Sequence, residues 1–106
     1  MNIRIERLRS QIKEELANYL LYETEDSLLR SVVITRVEIT PDLQNLLVFF
    51  TTLEEGKEEE AKKRLESSKK EIRWYLAKNL SLRKVPDINF KVDKDLKYFE
   101  KIWQKL

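Results

Sequence analysis

Lys62, Lys63, Arg64, Lys69, Lys70, Arg73, Lys78, Arg83 and Lys84 fall between positions 62 and 84, and they are the residues of this chain best placed to do chemistry. That chemistry is polyanion binding, because each Lys or Arg that meets a phosphate releases condensed counterions. Segment 62–84 holds nine basic residues against two acidic ones, whereas residues 1–61 hold seven against 13. The net charge of +2 therefore conceals a strongly basic stretch. The ordinary alternative is a solvated helix face carrying unremarkable charges. The candidate phosphate contacts are Lys69, Lys70, Arg73, Lys78, Arg83 and Lys84, with Lys62 and Lys63 in secondary roles.

Catalysis has little to work with. The chain has no cysteine and no histidine. Thiolate chemistry, disulfides, the usual zinc sites and the commonest general base are therefore missing. Gly56 is the single glycine, which excludes a glycine-rich loop cradling phosphates. Residues 54–60, EEGKEEE, hold five Glu, but consecutive Glu point in different directions around a helix. They suit a helix N-terminus, where negative charge favours the macrodipole, better than a metal cage or an acid/base pair. The expectation is a non-enzyme without cofactor, metal or small-molecule substrate.

The 106 residues make one domain's worth of chain, 1–106, at 42% hydrophobic and 38% charged. No run approaches the roughly 18 apolar residues of a membrane span. Met1-Asn2-Ile3-Arg4-Ile5-Glu6 alternates charged and apolar groups, unlike a cleaved signal peptide. These features predict a cytoplasmic protein that avoids membranes.

Several elements must position the basic stretch. Ile5, Leu8, Ile12, Leu16 and Leu20 recur at spacings of three and four, which predicts an amphipathic helix over 3–22. Residues 23–27 read as a polar break. Residues 31–40, SVVITRVEIT, are β-branched and alternating, so they predict a strand with Val33, Thr35, Val37 and Ile39 on one face. Thr40-Pro41-Asp42-Leu43-Gln44 predicts a turn into a second strand, 45–53, as an antiparallel hairpin. Ala61, Leu65, Ser68, Ile72, Leu76 and Leu80 predict a helical stripe with a bend near Ser67-Ser68. Residues 87–92 predict a third strand with Ile88, Phe90 and Val92 on one face, starting after Pro86. Asp93 reads as the N-cap of a last helix with Leu96, Phe99, Ile102 or Trp103, and Leu106 on its apolar side. Trp74 and Tyr75 are expected in the core beside Ile72 and Leu76, in preference to stacking on bases.

Taken in order, these segments resemble the ribosome-binding factor A family. Arg4-Ile5-Glu6-Arg7 through Leu20 is similar to its opening helix. Val37-Glu38-Ile39-Thr40-Pro41-Asp42-Leu43 resembles its strand-turn signature V-E-[VIL]-[ST]-x-D-L, and Val48-Phe49-Phe50 follows where the family has V-Y-V. Ile72-Arg73, Leu76, Leu80, Leu82-Arg83 and Val85-Pro86-Asp87-Ile88-Asn89-Phe90 resemble I-R-x-x-[LI]…L-R-x-x-P-[EQ]-[LI]-x-F. The chain departs from the family at the bend, where Ser68-Lys69-Lys70 stands in place of Ala-x-Gly. It departs again at Glu25-Asp26-Ser27, where members often have Asp-Pro-Arg.

The resemblance implies an α+β, type II KH-like domain of order α-β-β-α-α-β plus a C-terminal helix, with helices packed on one face of a three-stranded sheet. It implies a monomeric assembly factor that binds the immature small (30S) ribosomal subunit and 16S rRNA. It further implies help in late 16S rRNA processing and maturation, including at low temperature. Without glycine at the bend, Lys69 and Lys70 attract phosphate by charge and do not bring the backbone close to a single strand, so shape and phosphate should dominate base readout. The alternative from another class is a KH-like protein-interaction or oligomerisation module without RNA affinity, using Phe49-Phe50 or the third strand as a pairing edge.

Overall fold

The computed structural model describes residues 3–94. Helix α1 spans Ile3–Asn18 and runs into a π-helical turn, Tyr19–Glu23. A short helix α2, Ser27–Arg30, precedes strand β1, Val32–Ile39, and strand β2, Asn45–Thr52. Helices α3, Glu58–Ser67, and α4, Lys69–Leu80, then lead to strand β3, Asp87–Val92. The strand order is β1-β2-β3, with β1 antiparallel and β3 parallel to β2. A parallel neighbour needs a crossover connection, and α3 with α4 supplies it. The last helix expected over Asp93 to Leu106 lies outside the described residues, apart from Asp93 and Lys94.

One sheet face is dry. Leu46, Val48 and Phe50 of β2 are fully buried, and they meet Ile88 and Phe90 of β3 on the same side. The amphipathic stripes close over that side: Ile12 and Leu16 from α1, Ala61 and Leu65 from α3, Ile72 and Leu76 from α4. Burying each of the larger of these side chains contributes on the order of 1.5–3 kcal/mol before entropy is counted. On the opposite face Leu47 and Phe49 are only half-buried, and no helix among the described residues covers them. The Arg36 guanidinium lies 4.0 Å from the Phe49 ring centre, and Arg36 also pairs with Glu38 at 3.6 Å.

Strict alternation along β1 does not survive. The pairing register slips between Ile34 and Arg36, so Thr35 is an extra, bulged residue. Val32 and Ile34 face the core before the bulge, and Val37 faces it afterwards, while Arg36 and Glu38 point out. The face expected from periodicity therefore changes halfway, because one inserted residue inverts every later side chain. The bulge is pinned from the far side of the sheet. The Thr35 hydroxyl donates to Asp93 Oδ2 at 2.5 Å, and the Asp93 N–H donates to the Phe50 carbonyl at 2.7 Å.

The polar break expected at 23–27 proves shorter, and α2 follows it. Asp26 caps that helix, accepting from the N–H groups of Leu28 at 2.9 Å and Leu29 at 3.4 Å. Leu28 and Leu29 are buried, which anchors the turn. The same carboxylate accepts from Arg64 of α3 at 2.8 Å. Partial burial raises the Asp26 carboxyl, but these three donors outweigh it and hold the group below its ordinary 3.8.

Three outcomes are expected. Thr35→Ala should cost about 1–2 kcal/mol in urea denaturation, the loss of one hydrogen bond to a charged group. Deleting Thr35 should keep Ile34 and Val37 on the core face, because Arg36 then follows Ile34 in a regular ladder, so its cost should stay close to that of Thr35→Ala. A much larger loss on deletion would show that the bulge itself holds the register. Asp26 lends stability that is complete above its unfolded value and lost as pH falls through the lower folded one. Asp26→Asn should therefore be less stable than the parent at pH 7, with the gap closing below about pH 4 in thermal melts.

Candidate nucleic-acid interface

Helices α3 and α4 meet at Ser68, whose φ of −94° and ψ of 3° turn the chain without entering the left-handed region. Any L-residue can adopt that conformation, so the bend does not require the glycine that the family pattern carries. The Ser68 N–H donates to the carbonyls of Arg64 at 3.0 Å and Leu65 at 3.1 Å, and its own carbonyl accepts from the Ile72 N–H at 2.9 Å. Backbone bonds thus hold the bend, and the Ser68 hydroxyl makes no capping bond. Leu65 and Ile72, buried on either side, turn Lys69 and Lys70 away from the core.

A groove of roughly 610 Å³ opens beside this bend, lined by Glu66, Ser67, Lys69, Lys70, Arg73, Trp74, Lys84 and Val85. Four of the eight candidate phosphate contacts, Lys69, Lys70, Arg73 and Lys84, therefore share one concavity although Lys84 lies beyond the end of α4. Lys69 is partly spoken for, with its Nζ 2.7 Å from Glu66 Oε2. Arg73 is half-buried and donates from Nη2 to the Val85 carbonyl at 3.1 Å, which ties α4 to the approach to β3. Its Nε is buried without a hydrogen-bond partner among the described residues. Arg73 thus has a structural bond in place of the ion pair that an internal role would suggest.

The other four do not line the groove. Lys62 and Lys63 sit four residues before Glu66 and Ser67, so they extend the same sides of α3 by one turn. Arg83 is exposed in the connection to β3. Lys78 is exposed on α4 with its Nζ 5.1 Å from the Trp74 ring centre. Arg64 leaves the basic set, since it bridges Asp26 and Glu60 at 2.8 and 3.2 Å.

Trp74 is not a core residue. It is 66% exposed, two positions from Ile72 and hence about 200° around the helix from the buried stripe. The 100° step per residue is the signal that would have separated it from Ile72 and Leu76. Tyr75 is half-buried and meets Tyr19 edge-on, with ring centres 5.4 Å apart. A second groove, roughly 430 Å³, runs along this side of α4 and is lined by Tyr19, Glu23, Lys70, Glu71, Trp74 and Tyr75. The Tyr19 hydroxyl donates to Glu71 at 3.2 Å. Burial, then that bond and the neighbouring carboxylates, push the Tyr19 hydroxyl up to about 12. Among the described residues no cluster of acidic side chains could hold a metal ion. No helix there is long and apolar enough to cross a membrane.

Comparison with known proteins agrees with this architecture. A family model described as ribosome-binding factor A matches residues 4–106. The ribosome-binding factor A of Macrococcus caseolyticus is 36% identical over 105 residues, covering 96% of this chain and 90% of that protein. A solution structure of a Thermotoga maritima protein, provisionally assigned to ribosome binding factor A, superposes with a TM-score of 0.76 at 31% identity, covering 90% of this chain and 93% of the other. The Thermus thermophilus factor, as fitted into a cryo-EM map of a complex with the 30S subunit, has the same fold, with a TM-score of 0.67 at 24% identity over 80% of this chain and 90% of its own. The β-β-α-α-β core after α1 and the short α2, the helices on one sheet face and the near-complete family match together make this chain a member of the ribosome-binding factor A family.

Proposed function

We propose that this chain is a non-catalytic assembly factor that docks on the immature small ribosomal subunit through the groove at the Ser68 bend, with 16S rRNA phosphates as its ligands. It acts in the cytoplasm as a monomer and aids late 16S rRNA processing and maturation, including at low temperature. The observation that carries this reading is the convergence of Lys69, Lys70, Arg73 and Lys84 on one concavity. The family's name and the 30S complex of the Thermus relative support the choice of partner.

The chemistry of the bend favours phosphate over base recognition there. A glycine loop lets nucleic acid approach the backbone closely, whereas lysine side chains at the same place meet phosphates at arm's length. Lys70 and Lys84 have no ion-pair partner among the described residues, so they meet phosphate without first breaking a bond. Lys69 must exchange Glu66 for phosphate. That exchange costs little, because an exposed ion pair is worth roughly 0–1 kcal/mol. Lys62, Lys63, Lys78 and Arg83 lie around the groove and add longer-range attraction that salt screens over about 8–10 Å.

The double change Lys69→Glu with Lys70→Glu should abolish co-sedimentation with free small subunits at physiological salt while leaving the circular dichroism spectrum and melting temperature near those of the parent. In a salt series, the slope of log affinity against log salt should fall by about 2, one for each lost phosphate contact. Unchanged co-sedimentation would remove the site. A concentration-dependent mass with salt-insensitive binding would instead favour the protein-interaction module.

A further inference from the structure

The second groove carries features that phosphate binding at the bend does not use. Trp74 leaves two-thirds of its surface in water, an unusual position for the largest apolar side chain. Beside it, Tyr19 and Tyr75 form a fixed aromatic wall, locked edge-on to each other and held by the Tyr19–Glu71 bond. The groove carries both signs of charge. Lys70 and Lys78 flank Trp74 one turn to either side along α4. Glu71 and Glu23 supply carboxylates at the Tyr19 end.

We infer that this groove holds one unpaired rRNA base, stacked on Trp74 with its N–H-bearing edge turned toward Glu71 and Glu23. The inference rests on the proposed ribosomal role and adds a base-binding site to it. Lys70 lines both grooves, and so does Trp74. A phosphate held at Lys70 therefore places its own nucleotide at the lip of the second groove. The carboxylates repel backbone phosphate and accept hydrogen bonds, so they admit a base edge and turn away the strand. A ring with a π-face, an edge of N–H donors and an attached anion matches the three kinds of surface in the groove, the Trp74 ring, the carboxylates and Lys70. A phospholipid has no use for the carboxylates, and a basic peptide side chain is opposed by Lys70 and Lys78. The volume falls within the roughly 300–1,000 Å³ range of small-ligand sites.

Trp74 is exposed, so Trp74→Ala leaves the core intact. Binding of the full chain to immature small subunits and to protein-free 16S rRNA should weaken on the order of 10-fold in Trp74→Ala, because stacking on one aromatic ring is lost. The salt slope should stay unchanged, since no phosphate contact is removed. Trp74→Phe should recover most of the affinity. In a Trp103→Phe background, where Trp74 is the remaining tryptophan, its emission should be quenched by the RNA. Parental affinity in Trp74→Ala, alongside lost association in the Lys69→Glu, Lys70→Glu protein, would overturn the base site and leave the phosphate groove standing. Loss in neither variant would overturn both. A Trp74 effect seen on subunits but absent on protein-free RNA would assign the groove to a protein partner and overturn the inference.

Discussion

Both grooves beside α4 depend on two helices being held to one sheet face on either side of Ser68. Leu65 from α3 and Ile72 from α4 are essentially inaccessible to solvent, and they bury into the same cluster as Phe50 and Ile88. With both helices anchored there, the segment 66–71 between the anchors lies at the surface. Lys69 and Lys70 belong to that segment. Their projection is a by-product of apolar packing, and it needs no special backbone conformation, because Ser68 turns the chain with a negative φ. A smaller or polar residue at either anchor would loosen the bend and the groove together, since packed interiors transmit such changes.

Charge then sorts itself by geometry. Segment 62–84 is basic as a whole, yet the fold divides its cations by task. Arg64 stitches α3 to the cap of α2 through Asp26. Arg73 stitches α4 to the entry of β3 through the Val85 carbonyl, and it still lines the groove. Among the described residues Lys70 and Lys84 have no ion-pair partner, and Lys69 is weakly held by Glu66. Glu66 is the acidic side chain, among the described residues, that lines the cationic groove, and Glu71 lies on the neighbouring side of α4. Glu71 is bound to Tyr19, so its carboxylate is also part of a fixed wall.

The two flanks of α4 thus differ in kind. The flank toward Lys84 is cationic and suits a phosphate backbone. The flank toward α1 is aromatic and ends in carboxylates. The π-helical turn at the end of α1 contributes the wall residues Tyr19 and Glu23, and such turns carry one extra residue per turn, which changes where later side chains point. A plain α-helical ending would present a different pair of residues to α4.

Much of the architecture was legible in one dimension because it follows from periodicity. The α1 stripe, the hairpin, the α3–α4 bend and the inward set Ile88 and Phe90 all rest on local spacing of apolar residues and on turn residues such as Pro41 and Asp42. The basic segment and the family resemblance were legible for the same reason, since composition and order do not need coordinates. Tertiary structure alone decided the rest. The inverted face of β1 comes from a bulge pinned by Asp93, 58 residues from Thr35. Helix α2 depends on an Asp26 carboxylate shared with Arg64, 38 residues away. The joining of Lys84 to Lys69 and Lys70, and the meeting of Tyr19 with Tyr75 beside an exposed Trp74, arise where separate elements are pressed together by a common core. Sequence carries the strength of each residue's preference, but which charges and rings become neighbours is set by three-dimensional packing over distances that local spacing does not encode.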